Sequence, residues 1–418
     1  MSTPVTASSA SSLVLQRPAG AIRTSVQLPA SKSESNRALI INALAGNQGV
    51  LNNLSEARDT RTMQRLLESA EQSLDVIDAG TTMRFLTAFI AATDQDKILT
   101  GTPRMCERPI ALLVDALRAL GANIEYLRQE GFPPIHIRGM DYNGRNHVSI
   151  RGDVSSQYVS ALLMIAPLLP EGLSLELTGP VGSRPYIQMT LNQMEQFGAQ
   201  TEWHENVIRV LPKPYQPTSY SVESDWSGAS YWYSIVALAD DAEVELLGLK
   251  AQSLQGDSQI AHIMEPLGVH STFTDRGVLL TKSPRKSEGT VDFTDCPDLA
   301  QTVAVCCAAQ GVQLTMTGIE SLKIKETDRV SALQQELAKF GAQLRETSRG
   351  LYEVTQANFQ AGAPVEIETY DDHRMAMAFA PLALKTDLVI KHPNVVVKSY
   401  PRYWEDLQKA GFMLGELS

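Results

Sequence analysis

The feature that most narrows the fold is a helix that ends on glycine and runs into a short strand, repeated along the chain. It reads Leu112-Leu-Val-Asp-Ala-Leu-Arg-Ala-Leu-Gly121 before Ala-Asn-Ile-Glu-Tyr126, and Leu191-Asn-Gln-Met-Glu-Gln-Phe-Gly198 before residues 199–203. It returns as Ile260-Ala-His-Ile-Met-Glu-Pro-Leu-Gly268 and as Leu333-Gln-Gln-Glu-Leu-Ala-Lys-Phe-Gly341, with weaker copies over 62–70 and 403–412, where Gly411 takes the turn. Glycine suits the left-handed conformation that closes a helix. The turn glycines recur roughly every 70 residues and divide the chain into about six units. That period is too long for an ordinary solenoid, so each unit must hold several strands and helices. Small α/β modules grouped by threes into two similar domains are expected. A length of 418 residues, too great for one ordinary core, agrees.

Each unit carries a second helix whose beginning is unusually polar. Ser31-Lys-Ser-Glu-Ser-Asn-Arg37 precedes 38–45, Asp78-Ala-Gly-Thr-Thr-Met-Arg84 precedes 85–92, and Ser155-Ser-Gln157 precedes 158–169. Glu223-Ser-Asp-Trp-Ser227 precedes 228–238, Asp295-Cys-Pro-Asp298 precedes 299–309, and Asp371-Asp-His-Arg374 precedes 375–384. Apolar on nearly every face, these helices should be buried, with their hydrophilic residues crowded at the amino end. Helix starts that converge would sum their dipoles into an anion trap, even in a chain of net charge −11. That acidity argues against nucleic acid as a partner.

The most charged stretch is Ser321-Leu-Lys-Ile-Lys-Glu-Thr-Asp-Arg329, which leads into a helical pattern over 330–339. Thr327 or Asp328 can cap that helix, which puts Lys325 and Glu326 at its amino end. Cations flanking a carboxylate there could hold phosphate and move a proton. No apolar run approaches the roughly 20 residues a membrane span needs. Residues 1–12 read as a short tail, neither a signal nor a transit peptide. Cys106, Cys296, Cys306 and Cys307 form no C-x-x-C pair, so reduced, mostly buried thiols in a cytoplasmic protein are expected. The seven histidines are scattered, so no metal site and no cofactor are expected.

Five segments in order carry a family resemblance: Ser31–Arg37, Asp78–Arg84, Pro103-Arg-Met-Cys-Glu-Arg-Pro109, Lys325-Glu-Thr-Asp-Arg329 and Asp372-His-Arg-Met375. Together they resemble the 5-enolpyruvylshikimate-3-phosphate synthase family, from about Leu15 to Lys409. The resemblance implies two inside-out α/β barrel domains, each of three β-α-β-α-β-β repeats, with the active site in the interdomain cleft. The domains would be residues 31–224, and 1–30 with 225–418, the crossings falling near Ala30-Ser31 and Glu223-Asp225. It implies transfer of the enolpyruvyl group of phosphoenolpyruvate to the 5-hydroxyl of shikimate 3-phosphate, with release of phosphate, in a monomer that closes about a hinge.

By that resemblance Lys32, Ser33, Arg37, Ser155, Ser156, Gln157, Ser183, Tyr186, Asp298, Ser321 and Lys325 hold shikimate 3-phosphate. Lys32, Gly80, Arg108, Gln157, Arg329, Arg374 and Lys398 take phosphoenolpyruvate. Asp298 is the implied base and Glu326 the implied proton donor, with Lys32 between the ligands. Departures from the family pattern are Asp78 for a frequent asparagine, Ser321 for another, and Phe85 for a frequent proline. Helix capping is the role expected of Asp78. Gly80 leaves room that a methyl group would fill, so sensitivity to glyphosate is expected. The sister enzyme acting on UDP-N-acetylglucosamine is the nearest alternative, but Cys106 stands too close to Arg108 for its loop cysteine. A non-catalytic phosphometabolite-binding protein is the other, and it would need the cations without Asp298 and Glu326.

Overall fold

The structure, a computed structural model, describes residues 11–359 and 363–416. Of the expected tail, residues 1–10 lie outside these, while Ser12 opens a strand, Ser12–Gln16. The chain divides into two compact units. A continuous unit spans Ala30–Val222, and a split unit combines the residues up to Pro29 with those from Glu223 onward. Each buries a hydrophobic core of its own.

The repeat is visible in the strand order. Residues 73–140 run strand Ser73–Asp75, helix Gly80–Ala92, strand Asp96–Thr100, helix Ala111–Ala119, and strands Ala122–Tyr126 and Ile135–Met140. The first two strands pair in parallel, with Leu74 opposite Leu99, and the last two join antiparallel beyond them. Residues 147–210 and 288–354 repeat that order and pairing. In the split unit, Ile22–Gln27 lies parallel to Ala242–Leu247, the next two strands completing that sheet. Its third sheet is completed by the chain's ends: Ser12–Gln16 sits between Leu388–Lys391 and Met413–Glu416. The third sheet of the continuous unit is only a parallel pair, Val50–Asn52 with Ser219–Ser221. Each unit is thus three open sheets around helices, and no sheet closes on itself among the described residues.

Hydrophobic pattern dictates which helices go inside. Gly80–Ala92 is buried except at Thr81 and Ala92, Ser156–Ile165 except at Gln157, and Trp226–Leu238 except at Ser227. Burying each large aliphatic or aromatic side chain contributes about 1.5–3 kcal/mol, so a helix apolar on all faces is stable only when surrounded. The second helix of each repeat is amphipathic instead. Ala111–Ala119 buries Leu113, Val114, Ala116 and Leu117 and exposes the rest of its surface. Gly121, Gly198, Gly268, Gly341 and Gly411 all have positive φ, between 71° and 108°. At Gly121 a β-carbon would also collide with the Asp141 carbonyl oxygen, so the turn admits only glycine. Among the described residues no helix is long and apolar enough to cross a membrane.

Candidate active site

In the split unit three buried helices bring their starts together. Asp225 caps Trp226–Leu238 by accepting from Gly228 N at 2.9 Å, and Asp372 caps His373–Phe379 through Arg374 N at 2.9 Å. Asp298 lies in the 3-10 turn Pro297–Leu299 that feeds Ala300–Gln310. Arg374 ties all three together, its Nη2 donating to Asp298 Oδ2 at 3.0 Å and to Ser227 Oγ at 3.3 Å. The three helix starts of the split unit thus meet at the Arg374 guanidinium.

Arg329 opens the helix Arg329–Ala338 and is only 2% exposed. Asp328, not Thr327, caps this helix, accepting from Ser331 N at 3.0 Å. The Arg329 guanidinium donates to Asp372 Oδ2 at 2.7 Å, Asp298 Oδ1 at 3.0 Å and Glu326 Oε2 at 2.8 Å. Burial alone would weaken its hold on its proton, but Asp372, Glu326 and Asp298 reverse that and raise its pKa. Lys398, 1% exposed, ends the turn Pro393–Lys398 with Nζ 3.5 Å from Glu326 Oε1. Lys325 Nζ stands 3.7 Å from Asp298 Oδ1, and its pKa is lowered by burial, with Asp298 opposing. Burial also favours the neutral form of Asp298, yet Arg374, Lys325 and Arg329 outweigh it and hold the carboxyl well below the usual carboxylate range. Ser321 is half-buried in the preceding turn Glu320–Ile324.

The continuous unit gathers the remaining expected residues. Ser31 caps Lys32–Leu44, and Lys32 Nζ donates to Asp59 Oδ2 at 3.0 Å from an ammonium 17% exposed. Gln157 Nε2 donates to Thr81 Oγ1 at 2.9 Å, joining two helix starts, and Ser155 caps the helix that begins at Ser156. Around Gly80 the backbone passes so close to two arginines that an added β-carbon would lie 2.7 Å from Arg108 Nη1 and 2.9 Å from Arg84 Nη1. Arg84 is a brace, donating to Gly80 O at 3.1 Å and Pro109 O at 3.2 Å. Ser183 adopts a left-handed conformation before Arg184–Gln196, with Tyr186 half-buried behind it.

Two residues have partners that local sequence does not show. Arg37 is 2% exposed and points inward, donating to Thr190 Oγ1 at 2.7 Å, Ser160 Oγ at 3.1 Å and Ser33 O at 2.9 Å. Phe85, the departure from a frequent proline, supplies a ring 5.3 Å from that guanidinium, and Tyr186 another at 5.9 Å. The hydrogen bonds hold the Arg37 side chain against the Ser33 carbonyl. Asp78 does not cap its helix, whose N-cap is Ala79 with no side-chain bond; it pairs with Arg58 at 2.9 Å and 3.0 Å. Cys106 Sγ contacts the Gly101 carbonyl at 3.7 Å, which gives it an ordinary packing role. Asp59 and Asp257 belong to these clusters but carry no motif signal of their own, since only folding brings them beside Lys32 and Ser227. Among the described residues, no group of three or more His, Cys, Asp or Glu side chains is placed to hold a metal ion.

Repeated sheets around buried helices, with cations and carboxylates concentrated at the helix starts, define an α/β enzyme built to handle small anions. The chain matches the profile of the family described as EPSP synthase (3-phosphoshikimate 1-carboxyvinyltransferase) over residues 16–70 and 64–407. A 3-phosphoshikimate 1-carboxyvinyltransferase of Bacteroides fragilis (strain YCH46) is 50% identical over 394 residues, covering 94% of this chain and 96% of that protein. One from Citrobacter koseri is 38% identical over 429 residues, 95% of this chain and 98% of that one. A solved EPSP synthase of Acinetobacter baumannii superposes with a TM-score of 0.75 at 20% identity, covering 97% of this chain and all of the other, a likeness of fold. The chain belongs to the EPSP synthase family.

Because the Asp298 carboxyl is held low, the stability it contributes is present above the unfolded carboxylate value and lost as pH falls through the folded one. Asp298→Asn lacks that contribution, so it should melt below wild type near neutrality, with the gap narrowing below about pH 4. Melting curves between neutral and acid pH check this; a gap that stays constant contradicts the depressed pKa.

Proposed function

We infer that the protein transfers the enolpyruvyl group of phosphoenolpyruvate to the 5-hydroxyl of shikimate 3-phosphate and releases phosphate. The observation that carries the reading is the pair Asp298 and Glu326, held on opposite sides of the Arg329 guanidinium at 3.0 Å and 2.8 Å. Neither unit has a full complement of groups: the proton-moving carboxylates lie in the split unit, while Lys32, Ser33, Ser155, Ser156, Gln157, Ser183 and Tyr186 lie in the continuous one. In this reading the reaction draws on both sets, because each anion needs several fixed cations.

In the proposed mechanism Lys32, Arg108, Arg329, Arg374 and Lys398 take phosphoenolpyruvate, with the Gly80 backbone and the Gln157 amide. Lys325, Ser321 and the continuous-unit hydroxyls take shikimate 3-phosphate. Asp298 in the resting site is a poor base, because three cations suppress its proton affinity. Once Arg374 and Lys325 face substrate anions, their field at Asp298 is neutralised and its affinity rises. Asp298 then accepts the 5-hydroxyl proton as that oxygen bonds to C2 of the enol, and Glu326 protonates C3. The tetrahedral adduct collapses when the C3 proton returns to Glu326, the double bond re-forms and the C2–O bond to phosphate breaks, the leaving phosphate taking the proton held by Asp298. Both residue sets lie in one chain, so a monomer carries every group the reaction needs. Free thiols, three of them buried, suit a cytoplasmic setting.

The decisive assay is phosphate release dependent on both substrates. Asp298→Ala and Glu326→Ala should each lose at least about 100-fold in kcat, as expected for a lost general base or acid. Each should still bind shikimate 3-phosphate by calorimetry; binding and turnover lost together would contradict the catalytic roles. Gly80→Ala should displace Arg108, raising both the KM for phosphoenolpyruvate and the glyphosate concentration that halves the rate. Wild-type turnover unchanged by glyphosate well above the phosphoenolpyruvate concentration would refute the assignment of that anion site.

A further inference from the structure

Asp257 lies in the 3-10 turn Gly256–Gln259, 2% exposed, outside every segment that carries the family resemblance. The Ser227 hydroxyl donates a short hydrogen bond to Asp257 Oδ2. Arg374 Nη2 donates to that same serine oxygen at 3.3 Å, and to Asp298 Oδ2 at 3.0 Å. One guanidinium nitrogen is therefore divided between a carboxylate it touches and a hydroxyl backed by a second carboxylate. Ser227 is the one residue of Trp226–Leu238 that is not buried, so the bridge runs through the only accessible point of that helix.

We propose that Asp257, acting through Ser227, positions Arg374 and sets how strongly that guanidinium takes up the substrate anion. The inference rests on the assignment of Arg374 to phosphoenolpyruvate made above. Charged and titratable groups face Asp257 from each neighbouring element: Asp298 and Cys296 from the turn before Ala300–Gln310, Arg374 from His373–Phe379, and Asp225 beside Ser227 at the start of Trp226–Leu238. Burial first, then the charge of Asp298, lifts Asp257 to about 7, against the pull of Arg374 and the Ser227 bond. As the neutral acid, Asp257 leaves Arg374 facing one carboxylate and ready for an incoming anion. Once ionised, it adds negative charge to a site that must accept phosphoenolpyruvate and binds Arg374 more tightly through the bridge. Uptake of the anion is strongest below this pKa and falls as pH rises through it.

The test is the KM for phosphoenolpyruvate as a function of pH in wild type, Asp257→Asn and Ser227→Ala. Titration of the substrate itself is common to all three and cancels in the comparison. Wild-type KM should rise by up to roughly tenfold per pH unit above about 7, the limit for one titrating group. Asp257→Asn, whose amide mimics the neutral acid, should lack that rise. Ser227→Ala should raise KM by roughly tenfold at every pH, with a smaller change in kcat, because Arg374 loses its bridge. A merely structural Asp257 would lower activity evenly across pH and leave the slope alone. Asp257→Asn with the wild-type slope, or Ser227→Ala with wild-type KM, overturns the proposal; should Asp257→Asn not fold, Ser227→Ala decides alone. Wild type without turnover would instead refute the transferase reading, and calorimetry with phosphoenolpyruvate would then report the Asp257 effect directly.

Discussion

A guanidinium sealed from water is tolerable only when carboxylates satisfy it, and Arg329 is the point on which the split unit's site is built. Its partners Asp372, Asp298 and Glu326 come from three different elements, so satisfying one buried charge fixes the positions of all three. Removing one partner from such a group typically costs about 3–5 kcal/mol, whereas replacing the whole group with apolar residues is often neutral. Stability alone therefore does not explain why the cluster exists. It holds charges at fixed positions before any substrate arrives, which is the condition for electrostatic catalysis. Asp372 does two jobs in this scheme, capping the helix that presents Arg374 and pairing with Arg329.

The location of that site follows from the hydrophobic pattern. Helices apolar on every face must be surrounded by other elements, so the sheets take the outside and the helices the middle of each unit. A helix buried on its sides can meet water only at its ends. Apart from Ala92 at a helix end, the residues spared from burial are Thr81, Gln157 and Ser227, each at the second position of its helix. Function thus collects where the fold leaves unpaired N–H groups and positive dipole ends. Neither a cation-rich composition nor a metal is needed to make an acidic chain bind anions.

Much of this was legible in the sequence because it is local. Glycine at a helix end reports a positive φ without reference to the rest of the chain, and polar residues at the head of an apolar helix report its exposed end. What stayed hidden depends on partners far away in sequence. Nothing near Arg37 in sequence shows that Thr190, Ser160 and the Phe85 ring surround its guanidinium. Asp78 reads as a helix cap, but Arg58, 20 residues earlier, claims its carboxylate. Asp257 reads as nothing, because its meaning comes from Ser227 and Arg374, 30 and 117 positions away. That the amino-terminal strands join the carboxy-terminal half came from the family resemblance and not from local pattern, since the partners of Ser12–Gln16 lie at the other end of the chain.

The central claim is that the proposed transfer uses Lys32 and Arg108 together with Arg329, Arg374 and Lys398. A crystal structure of the protein with shikimate 3-phosphate and glyphosate tests it most directly. The account predicts density for both ligands, with Lys32, Arg108, Arg329, Arg374 and Lys398 around the inhibitor and Lys325 with the continuous-unit serines around the sugar phosphate. Ligands bound elsewhere, or held by the cations of one unit alone, would contradict it.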